Sequence, residues 1–136
     1  MHEVGILTLT ACPGLTLLHR RCSIECRLTR GDTWSCRVFL RRVPTSGKAK
    51  LSELSKEPFG DDITDKEFVE NRIFRAQLAI LNPSLPSETF LEGNAVLGVQ
   101  TELSFSPSIV CLEITGPNYT DISFIDLPGM LPKFEL

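Results

Sequence analysis

The chain has 136 residues and a mass of 15.1 kDa, room for one domain of ordinary size and not for two. Hydrophobic residues make up 42% and charged residues 23%, with nine Gly and nine Pro, which excludes a disordered tail, a low-complexity tract or a collagenous repeat. Fourteen Lys and Arg stand against 17 Asp and Glu, a net charge of -3, so no basic field spans the protein and nucleic acid is not an expected partner.

Five cysteines, at positions 12, 22, 26, 36 and 111, form no C-x-x-C pair, and the histidines are His2 and His19, so the sequence carries no zinc signature. The longest uncharged stretch, Val4 to Leu18, is too short for a membrane span and is broken by Pro13 and Gly14. It begins after Glu3, whereas a secretory signal begins with basic residues. A cytoplasmic setting with reduced thiols is the expectation, and the sequon Asn118, Tyr119, Thr120 then stays unmodified.

Residues 1 to 20 show little periodicity and form an unassigned N-terminal segment. From Cys22 the alternation is strict: Cys22, Ile24, Cys26 and Leu28 point one way, with Ser23, Glu25, Arg27 and Thr29 between them. Arg30, Gly31 and Asp32 supply turn chemistry. Trp34, Cys36, Val38 and Leu40 then resume the alternation, so the two runs predict an antiparallel hairpin with buried cysteines as core fillers. Residues 44 to 60 read as a polar connector.

Thr64 and Glu67 form a capping-box pattern at the head of a helix over residues 65 to 81. Val69, Ile73, Ala76 and Ile80 make its apolar stripe, Phe68 and Leu81 lie at the margins, and Asn82 and Pro83 stop it. A short helical turn over residues 87 to 91 is closed by Gly93. Two strands follow, residues 109 to 115 and 119 to 126, joined by Gly116, Pro117 and Asn118 as a second hairpin. With no repeat and no break in composition, one mixed α/β unit over residues 21 to 136 is the simplest account.

The run Ile122, Ser123, Phe124, Ile125, Asp126, Leu127, Pro128, Gly129 delivers an aspartate at the carboxyl end of an apolar strand, with glycine three positions on. In nucleotide-binding α/β sheets ligands lie beyond the carboxyl ends of the strands, where an aspartate holds Mg²⁺, commonly through a water, and a glycine amide approaches the terminal phosphate. Four such residues by themselves are also ordinary turn chemistry.

The longer stretch LSFSPSIVCLEITGPNYTDISFIDLPGM, residues 103 to 130, resembles the dynamin family of large GTPases, in which a hairpin leads into a D-L-P-G element. The order CSIECRL, WSCRVFLRR, helix, hairpin is similar to that family's order after its first switch. PFGDDITDKEF and RAQLAILNPS resemble the fungal members. The resemblance covers about residues 21 to 131 and implies a partial P-loop GTPase sheet of the dynamin type, with hairpins and one main helix. It implies GTP and Mg²⁺ as ligands, Asp126 toward the metal, Gly129 toward the γ-phosphate, and Leu127 and Pro128 shaping the second switch. For full-length relatives it implies GTP hydrolysis coupled to membrane remodelling and self-assembly.

Several parts of that machinery have no counterpart in the sequence. Residues 1 to 21 contain Gly5 and Gly14 but no lysine, so no G-x-x-x-x-G-K-[ST] loop precedes Cys22, and Gly47 and Lys48 lack its remaining letters. Arg20 stands where the family places a metal-binding threonine, and a base-reading T-K-x-D motif would lie beyond Leu136. Since loop amides, lysine and metal ligands supply most of the catalysis in this class, the expectation is a GTPase-domain fragment that is not competent alone and lacks the strand beside the D-x-x-G strand. Two alternatives stay open. One is a non-catalytic interaction module. The other is a binding protein that uses the basic stretch from Arg20 to Lys50, where nine cations face Glu25 and Asp32. The ordinary reading of that stretch is that Arg27, Arg37 and Arg41 line a solvated strand face, with Trp34 on the buried side.

Overall fold

The computed structural model describes residues 6–7, 21–43, 55–93, 101–126 and 134–135, with the backbone alone for 6–7, Phe124, Asp126 and 134–135. Its elements are β1 (Ile6–Leu7), β2 (Ser23–Arg30), β3 (Ser35–Arg41), β4 (Lys56–Pro58), α1 (Val69–Leu81), β5 (Ile109–Gly116), β6 (Ile122–Asp126) and β7 (Phe134–Glu135). β1 and β7 form a two-residue antiparallel pair. The others build a mixed five-stranded sheet in the order β4-β3-β5-β2-β6, packed against the single α-helix of the described residues. The α/β class expected from the sequence is therefore observed.

Neither expected hairpin forms. β5 inserts between β2 and β3, running parallel to β2 and antiparallel to β3, while β2 in turn separates β5 from β6 and pairs antiparallel with β6. The reason is reach. The connector of residues 31 to 34 spans about 13 Å when extended, and crossing one intervening strand needs only about 10 Å. Its tight crossing over the end of β5 is marked by Gly31 N–H donating to Gly116 O at 3.0 Å. A Cβ at Gly31 would stand 2.2 Å from Thr115 Cγ2, so any other residue there would have to displace the Thr115 side chain. Residues 117 to 121 cross the end of β2 in the same way, where Arg30 N–H donates to Asp121 Oδ1 at 3.2 Å. Trp34 Nε1–H donates to Tyr119 Oη at 2.8 Å and ties the two connectors together. Tyr119, expected to begin a strand, is instead buried in this plug, and β6 starts at Ile122.

Alternation survives the change of neighbours, because the face on which a side chain lies depends only on position along its own strand. Cys22, Ile24, Cys26, Leu28, Cys36, Val38, Leu40, Val110, Leu112 and Ile114 are buried in the main core. Val69, Ile73, Ala76 and Ile80 of the helix join them as expected, and Leu81 is buried while Phe68 is exposed. The helix begins with a 3₁₀ turn, Lys66–Phe68, whose cap is Asp65: its Oδ1 accepts from Glu67 N–H at 2.9 Å. The cap therefore falls one residue after Thr64, because Asp65 has the extended backbone a cap requires. A second 3₁₀ turn, Ser87–Phe90, fulfils the expected short helix.

The described part of the polar connector contains a strand the sequence did not announce. β4 pairs with β3 from Phe39–Pro58 to Arg41–Lys56 and is anchored by Phe59, which is fully buried and whose N–H donates to Val38 O at 2.9 Å.

Candidate nucleotide-binding edge

The described sheet has two ends of different character. The ends at which β2 and β5 finish are closed by the Trp34–Tyr119 plug. At the other end β6 finishes at Asp126, whose register partner is Ile24, so this aspartate's backbone lies beside the first residues of β2. Arg21 O there accepts from Ser106 N–H at 3.0 Å, which fastens the approach to β2 onto the loop before β5. Farther back, that loop is held to the end of α1: Leu103 N–H donates to Leu81 O, and Asn82 Oδ1 accepts from Glu102 N–H. Hydrogen bonds from Ser84 hold the Glu102 carboxyl below its usual range.

The loop over residues 101 to 108 and the C-terminal half of the helix thus meet the chain entering β2, beside which β6 ends. Beneath them Gln77 is fully buried, its Oε1 is 3.8 Å from Cys22 Sγ, and its Nε2 has no hydrogen-bond partner. Gln77 was not singled out in the sequence, although its place four residues after Ile73 puts it inside the apolar arc. Of the four residues expected to form the nucleotide site, Asp126 is placed at the strand end by its backbone. Leu127, Pro128 and Gly129 lie outside the described residues. Among the described residues no cluster of three or more His, Cys, Asp or Glu is arranged to hold a metal.

Among the described residues β6 is the last strand of the sheet, and it exposes an isoleucine on each face. Ile122 lies opposite Leu28 on the helix side and is 54% exposed, while Ile125 lies opposite Glu25 on the outer side and is 49% exposed. A strand of this composition belongs to a sheet interior covered on both faces.

The basic stretch is internally compensated. In register, Glu113 of β5 stands between Arg27 of β2 and Arg37 of β3. Arg41 pairs with Glu25 at 3.4 Å, Arg37 with Asp62 at 3.3 Å, Arg42 with Glu57 at 3.3 Å, and Lys56 with Glu113. Arg37 and Lys56 also stand over the Phe39 ring, 5.1 and 4.7 Å from its centre, and screen a small apolar cluster of Phe39, Ile109 and Cys111. A cleft of about 50 Å³ remains between Glu25, Arg27, Arg41, Lys56, Glu113 and Ser123. Arg41 Nε is buried without a hydrogen-bond partner. With acidic residues interleaved and no hairpin formed, the arginines have the geometry of an ordinary solvated sheet face.

The four described thiols are buried and unpaired with one another. Burial pushes Cys22, Cys26 and Cys36 up to about 12, so none is a thiolate near neutrality. Cys111 is raised to about 12 by burial and by the neighbouring Glu25. The Tyr119 phenol is raised by burial, against the opposing effect of its bond from Trp34. The chain matches no protein-family model and no curated protein.

Proposed function

We propose that this chain forms the sheet and second-switch part of a dynamin-type P-loop GTPase domain. In this reading Asp126 faces Mg²⁺, Gly129 faces the γ-phosphate of GTP, and Leu127 and Pro128 shape the switch between them. Full-length proteins of this kind would hydrolyse GTP in the cytoplasm while self-assembling on and remodelling membranes.

The observation that carries the reading is that β6 ends the sheet with the composition of an interior strand, exposing Ile122 and Ile125 on opposite faces. A nucleotide-binding sheet would continue there, with the strand that leads into the phosphate loop. The pairing of Ile24 with Asp126 gives second support, since it brings the entry to β2, where the first switch would lie, alongside the end of β6. No G-x-x-x-x-G-K-[ST] run occurs in the sequence, so the chain by itself lacks the groups that supply most of the affinity for a triphosphate. The same exposed strand supports a second reading, a non-catalytic interaction module.

Titration of a fluorescent GTP analogue with Mg²⁺ tests the proposal. The chain alone should show no saturable binding. A complementing polypeptide carrying a strand, a phosphate loop and its helix should restore binding, and Asp126→Ala or Gly129→Ala should remove it again. Tight binding by the chain alone, or restored binding that ignores both substitutions, would overturn the reading.

A further inference from the structure

We draw no further inference here: the strongest candidate, the cleft on the outer sheet face between Arg27, Arg41, Lys56 and Ser123, is also lined by Glu25 and Glu113, which already pair with Arg41 and Lys56, and nothing in the structure shows what covers that face.

Discussion

At β4 the sheet presents Lys56, Glu57 and Pro58 to its surroundings, and at β6 it presents Ile122, Ser123 and Ile125. The first edge is short and charged, yet it is anchored by Phe59 in the core beside β3. The second is longer and regular, and leaves apolar surface exposed on both faces. An edge that needs no neighbour is commonly protected by charge and proline, and among the described residues the β6 edge lacks the lysine and proline of β4.

If the anchoring differs as described, truncation should cost very different amounts at the two edges. Phe59→Ala removes a fully buried ring and should lower the unfolding free energy by about 3–5 kcal/mol in urea. Equal sensitivity at Ile125→Ala would erase the contrast.

The thiols on the strands next to each edge give a second measure, through pH. Cys36 lies on β3 beside β4, and Cys26 on β2 beside β6. Both are raised in the folded state from an ordinary value of 9.0 to about 12, so the unfolded chain ionises them first. Their full contribution is present below pH 9 and is lost as pH rises from 9 through 12. At one pH unit above the ordinary thiol value the loss should be about 1.4 kcal/mol per buried thiol. Replacing Cys36 by Ala should flatten the alkaline slope of the urea midpoint, and an unchanged slope would refute the assignment.

Removing the bond between the two connectors should matter less. Tyr119→Phe takes away the partner of Trp34 Nε1–H and should cost about 1 kcal/mol, visible as a lower melting temperature with unchanged circular dichroism. The smallest effect belongs to the open edge. Ile125→Lys should change stability by no more than about 0.5 kcal/mol, because that side chain is half exposed and its strand pairs on one side only. A large loss in this variant would mean that β6 is already covered.

Much of this was legible in the residues. The period of two assigned Cys22, Ile24, Cys26 and Leu28 to the core and Arg27, Arg37 and Arg41 to the other face, and the structure keeps both sets. The helix stripe was legible for the same reason, a short-range repeat. β4 was not, since Lys, Glu and Pro have no strand preference and the segment pairs only because the buried Phe59 follows it. Asp126 was legible as the end of a strand, whereas its neighbour across the sheet, Ile24 at the entry to β2, was not.

By itself the sequence determined that β2, β3, β5 and the helix form, which of their residues share a face, and that an aspartate closes an apolar strand, because all of these depend on residues a few positions apart. Only the tertiary structure decided that both apparent hairpins open to admit a strand from the other, and that β6 ends the row. Hydrogen-bond partners in a sheet are chosen across the whole chain, and a connector of four residues reaches the next strand or the one beyond it equally well.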